Sequence, residues 1–142
     1  MNTLARVTLT FLLLQSVAST VAWACSCMGT DETPEELLAA HGKVFVGEVL
    51  DGPHARGCGF VQSSTDPVTY TLAVTEAFKG VEEGDRIKLE TAASGASCGV
   101  EMVVGESRLI YTDDDRVGSC DPGGRAADSS AEIEALRAAV AE

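Results

Sequence analysis

Two cysteines one residue apart, Cys25-Ser26-Cys27, sit directly behind a secretory leader, and this pairing constrains the chain more than any other feature. Met1 to Arg6 is a short, weakly positive start. Val7 to Leu14 is an apolar run broken only by threonines, and Ala22-Trp23-Ala24 is a small-x-small cleavage signal. Residues 1–24 therefore read as a signal peptide, with Cys25 as the first residue of the mature protein. The apolar run is short for a membrane span and nothing later approaches one, so a soluble product is expected, secreted or periplasmic. A leading cysteine can also be acylated. A lipobox carries Leu three residues before the cysteine and a small residue two before it; Ala22 and Trp23 stand there instead, which argues against a lipid anchor.

Export sets the redox reading. Of the five cysteines, Cys25, Cys27, Cys58, Cys98 and Cys120, four should form two bridges in an oxidising compartment and one is left over. The sequence by itself leaves the pairing open. A zinc site competes poorly, because Cys25-x-Cys27 has the wrong spacing for a zinc knuckle and His41 and His54 belong to no ligand pattern. The remaining 25–142 make one domain. With 10 basic against 22 acidic residues, a net charge of -12 and no Lys/Arg cluster, the chain repels phosphate backbones, which excludes nucleic acid as a partner.

Periodicity supplies the elements. Thr33-Pro34-Glu35-Glu36 is a capping-box start with Pro at the first helical position, so a short helix is predicted through Leu37 and Leu38 to about His41. Lys43 to Leu50 is β-branched and apolar with Gly47 inside it, a strand with a bulge or a close backbone approach. Residues 51–66, with Gly52, Pro53, Gly57 and Gly59, read as a long loop holding His54 and Cys58. From Val68 to Phe78 apolar residues alternate with Thr69, Thr71, Ala73 and Thr75, and Lys79-Gly80 turns the chain. Arg86 to Thr91 alternates in the same way through Ile87 and Leu89, Ser107 to Thr112 places Leu109 and Tyr111 on one face, and the small-residue connector 94–99 lies between them. Ser129-x-x-Glu132 caps a final helix, 130–141, lined by Ile133, Leu136 and Val140. About five short strands with two helices predict a mainly β, closed five-stranded barrel with helices packed on it.

Together, Cys25-Ser26-Cys27, Phe45-Val46-Gly47, Tyr70-x-x-x-Val74-Thr75-x-x-Phe78-Lys79-Gly80, Ser97-Cys98-Gly99 and Cys120 resemble the N-terminal domain of the tissue inhibitors of metalloproteinases, in order and in rough spacing, across nearly the whole mature chain. The resemblance implies a netrin-like OB-fold barrel with bridges Cys25 to Cys98 and Cys27 to Cys120. It also implies a function: the α-amine and carbonyl oxygen of Cys25 chelate the catalytic zinc of a zinc metalloendopeptidase, the partner. Ser26 enters the primary specificity pocket, and Cys27, Ser97, Cys98 and Gly99 form the rest of the reactive edge. No cofactor or metal of the chain's own is implied. The alternative function is a netrin-like binding module, extracellular or envelope-associated, whose cysteines are purely structural.

The remaining candidates are blander. Cys58 is the free thiol of an otherwise monomeric chain, available for an intermolecular bridge. His41 reads as a helix-end dipole partner or solvated residue and His54 as a loop residue. Asp113-Asp114-Asp115 lacks the alternation of a calcium loop and reads as a solvated turn. No nucleophile with a base and an orienting third group is legible, so the chain is not expected to be an enzyme.

Overall fold

The computed structural model describes residues 25–29, 31–53 and 66–141. Residues 1–24, read above as a leader, and His54 and Cys58 lie outside the described residues. Helix α1 (Pro34–Ala40) opens with the predicted capping box: Glu36 N–H donates to Thr33 Oγ1, and Thr33 N–H donates to Glu36 Oε2 at 2.8 Å. Strands β1 (Lys43–Asp51), β2 (Pro67–Lys79), β3 (Arg86–Ala92), β4 (Ser107–Thr112) and β5 (Gly123–Arg125) follow, and helix α2 (Ser130–Val140) closes the order. Neighbouring strands all pair antiparallel, in the order β3-β2-β1-β4-β5.

β1 carries both cores because its alternation puts apolar groups on both faces. Val44 and Val46 join Leu37, Leu109, Tyr111, Ile133 and Leu136 under the two helices. Phe45 and Val49 join Tyr70, Leu72, Val74, Leu89, Met102, Ile110 and Val117 on the other face. Gly47 does both things its sequence context suggested. The β1–β2 register shifts at Val46/Gly47, and a Cβ there would come within 3.1 Å of the Phe45 ring and 3.2 Å of Leu72 Cβ.

The closed OB-fold barrel predicted from the sequence does not form. The sheet is open, with β3 and β5 as its edges, and the fold is mixed α/β rather than mainly β. Two local causes keep it open. β5 is only three residues long, and Gly123 and Gly124, at φ 99° and 152°, leave ordinary strand geometry. The segment after β4 touches β3 through one isolated parallel bridge, in which Glu90 N–H donates to Asp115 O and Val117 N–H to Glu90 O. The next rung of such a ladder would run from Ser119 N–H to Ala92 O. Ser119 N–H instead donates to Cys98 O at 2.8 Å, while Gly99 packs on the Ala92 carbonyl so closely that a Cβ would lie 2.0 Å from its oxygen.

Helix α2 forms where expected but not by the expected cap. Ser129 makes no side-chain cap bond: it sits at φ -106°, ψ 21° instead of the extended geometry of the Thr33 cap, and the Glu132 carboxylate accepts from Tyr111 O–H at 2.7 Å. Burial, reinforced by Glu132, pushes the Tyr111 phenol well above its usual range. Val140, read as part of the apolar stripe, is exposed.

Candidate functional site

The reactive edge is assembled from three distant pieces of chain. Cys25 is bridged to Cys98 and Cys27 to Cys120, closing separations of 73 and 93 residues. In the chain-entropy account each such closure restricts the unfolded chain by about 4 kcal/mol as an upper figure. The consequence for the site is positional: the segment Cys25 to Cys27 is fixed at two points. Cys25 is half-buried, whereas Ser26, Cys27 and Met28 are exposed, Met28 at 93%.

The turn that receives Cys25 is built by its sequence of small residues. A single turn of 3-10 helix, Gly95–Ser97, follows Ser94, and Cys98 adopts the left-handed region at φ 61°, which reverses the chain. Ser97, Cys98 and Gly99 donate their N–H groups to Ser94 O, Gly95 O and Ser94 O respectively. Gly99 then lies buried against Ala92, and Val100 N–H donates to Thr91 Oγ1 at 2.8 Å, tying the turn to β3. The turn that receives Cys27 is held by Asp121, whose Oδ2 accepts from Gly118 N–H at 2.6 Å. The Ser119 to Cys98 hydrogen bond joins the two turns, so both bridges rest on one small platform.

All four bridged cysteines, Ser26 and Ser97 are therefore brought together, while Gly99, expected at the same edge, is buried beneath it. Sequence reading missed Ser94, Asp121 and Ser119, which hold that edge from below. Ser94 Oγ is buried without a partner among the described residues and sits beside a cleft of about 350 Å³ lined by Pro53, Tyr70, Gly95, Val100 and Glu101. A second cleft, of about 400 Å³, opens on the other side of Ala92, between β3 and residues 116–118, with Cys98 and Asp121 in its wall. Asp121 could have been suspected from Gly118-Ser119-Cys120-Asp121, a Gly-to-Asp turn pattern.

The acidic triplet is not simply solvated. Asp113 accepts from Gly42 N–H at 2.6 Å and lies 3.2 Å from His41 Nδ1, and the Gly42 hydrogen bond, helped by His41, holds its carboxyl below the usual range. Lys43 Nζ donates to both oxygens of Asp115, at 2.7 and 2.8 Å. These contacts fasten the α1–β1 junction to the end of β4. His41 is thus a partner of Asp113, and the cation at the end of α1 is Lys79, whose Nζ donates to Leu38 O and Ala39 O.

Among the described residues no cluster of three His, Cys, Asp or Glu side chains could hold a metal ion, and no helix is long and apolar enough to cross a membrane. What the reactive edge offers chemically is main chain: exposed peptide groups around Ser26 and whatever group precedes Cys25. No model of a known protein family and no curated protein sequence matches the chain.

Proposed function

We propose that the chain, cleaved after Ala24, inhibits zinc metalloendopeptidases by placing the α-amine and carbonyl oxygen of Cys25 on the target's catalytic zinc. The observation that carries this reading is the double clamp: Cys25 and Cys27 are each bonded to a separate, internally hydrogen-bonded turn, with Ser26 exposed between them. A catalytic zinc has three protein ligands and an open fourth position, and it can expand to five, which suits a five-membered N,O chelate. An α-amine with a pKa near 8 yields its proton readily to a metal. Because the disulfides already fix the segment, little ordering entropy is lost on binding. Ser26, small and polar, then enters the primary specificity pocket of the target. The resemblance to the N-terminal domain of the tissue inhibitors of metalloproteinases supports the same reading through Cys25, Cys27, Cys98 and Cys120.

Two measurements bear on it. Intact mass and N-terminal sequencing of the secreted product should give an unacylated chain starting at Cys25; a lipidated or extended start removes the mechanism. Carbamylation at mildly acidic pH, where the α-amine reacts ahead of lysine because of its lower pKa, should abolish inhibition of a zinc metalloendopeptidase panel. Unchanged inhibition by the carbamylated protein would rule out chelation through the amine.

A further inference from the structure

We infer that the cleft beside the Cys25–Cys98 bridge binds an extended peptide segment of the target protease through its main chain. The inference rests on the proposed inhibitory reading for the identity of the partner, and on the interrupted ladder between β3 and residues 115–119 for the chemistry.

β3 presents alternate residues to its outer edge. Ala93 N–H donates to Asp66 O, so Ala92 and Pro67 form a non-hydrogen-bonded pair and the Ala92 N–H points away from β2. Glu90 points the same way, and its N–H and C=O are both taken by the isolated bridge to residues 115 and 117. Continuation of that parallel pattern would take Ala92 N–H to Val117 C=O. The rung is not made. The Cys98–Gly99 turn, tied down by Cys25, covers the Ala92 carbonyl and draws Ser119 onto Cys98, and the two segments part around a cleft of about 400 Å³. Ala92 and Val117 both line it, together with Pro67, Thr91, Cys98 and Gly118.

The cleft thus holds one main-chain donor and one main-chain acceptor, neither partnered among the described residues. That pair is the complement of a single trans amide, whose C=O accepts from Ala92 N–H and whose N–H donates to Val117 C=O. Unpaired main-chain groups lining a cleft can pair with an added peptide, main chain supplying the affinity and flanking side chains the selectivity. Two features favour a segment of the protease as the occupant. Cys98, bonded to Cys25, is itself part of the cleft wall, so a target seated on Cys25 has its surface at the cleft mouth. The bridge at Glu90 also shows that this edge already accepts a parallel peptide segment.

The test uses a probe that needs no protease. N-acetyl-trialanine amide is titrated into the isotope-labelled chain 25–142, followed by backbone amide NMR. Saturable shifts should be confined to Ala92, Val117, Gly118 and their neighbours, and exchange of the Ala92 amide with deuterium should slow at least about fivefold at saturation. Ala92→Pro, which removes the donor from an edge position where no ladder bond is lost, should abolish the response at Val117 and Gly118. The exchange measurement on the unsubstituted protein stands whether or not that variant folds. Absence of a localised response, or an equal response in folded Ala92→Pro, would overturn the inference. Carbamylation of Cys25 should abolish inhibition and leave peptide binding intact; inhibition that survives carbamylation beside a localised peptide response overturns chelation alone, and inhibition lost on carbamylation with no peptide response in the unmodified protein overturns the cleft alone.

Discussion

At the scale of single residues, the most constrained position of the site is Gly99. A Cβ there would lie 2.0 Å from Ala92 O and 2.7 Å from its carbonyl carbon, and neither backbone atom can move aside cheaply. Gly99→Ala should destabilise the fold by about 2 kcal/mol, read as a lowered urea midpoint. It should weaken inhibition as well, because Cys98 and Cys25 move with it. Glu106 gives a pH signature. Burial raises its pKa, but hydrogen bonds from Arg108 and the Val103 backbone, with the charges of Arg108 and Arg125, outweigh this and leave it below the ordinary 4.5. A carboxylate whose pKa is depressed by folding stabilises above its unfolded pKa, and that stability is lost as pH falls through the folded one. Glu106→Gln should therefore cost about 2 kcal/mol at pH 7, leaving Arg108, at 12% side-chain exposure, without its anion. The gap between variant and parent should narrow as pH falls below about 4.5, by urea unfolding at a series of pH values. Gly47 was legible in the sequence because a glycine inside a β-branched run has few other uses. The roles of Asp113 and Asp115 were not, since their partners Gly42, His41 and Lys43 lie about 70 residues earlier and no local pattern encodes that meeting.

At the scale of elements, the two helices separate a cap that works from one that only looks like one. Thr33→Ala removes a formed capping box and should cost about 1 kcal/mol, whereas Ser129→Ala, which breaks no side-chain cap bond, should stay within about 0.5 kcal/mol; thermal melts of the two variants check the contrast. Both motifs read alike in the sequence. They differ in the cap backbone, extended at Thr33 but at φ -106°, ψ 21° at Ser129, and in the Glu132 carboxylate accepting from Tyr111 O–H, neither of which a four-residue motif encodes. The strands were legible for the opposite reason. β2 and β3 are set by alternation within each segment and β4 by a short apolar run buried on both faces, and their bounds follow these patterns closely. The open sheet was not legible, because it depends on Gly123 and Gly124 leaving strand geometry in a three-residue β5 and on Ser119 N–H meeting Cys98 rather than Ala92.

At the scale of the whole molecule, an open sheet with two helices on one face supports a platform on which two turns and the Cys25–Gly29 segment are pinned together. Which cysteines meet could not be read from spacing, yet their bridges define the surface: four distant sulfurs converge at the end of β3 and the turn after β4. The proposed inhibition depends on one backbone amine, that of Cys25. The direct measurement is to compare inhibition of a zinc metalloendopeptidase by the chain beginning at Cys25 with inhibition by the same chain carrying one additional Ala before it, with both bridges verified by mass. Chelation predicts a loss of at least about 100-fold in affinity for the extended form, with folding unchanged. Equal inhibition by the two forms would contradict it.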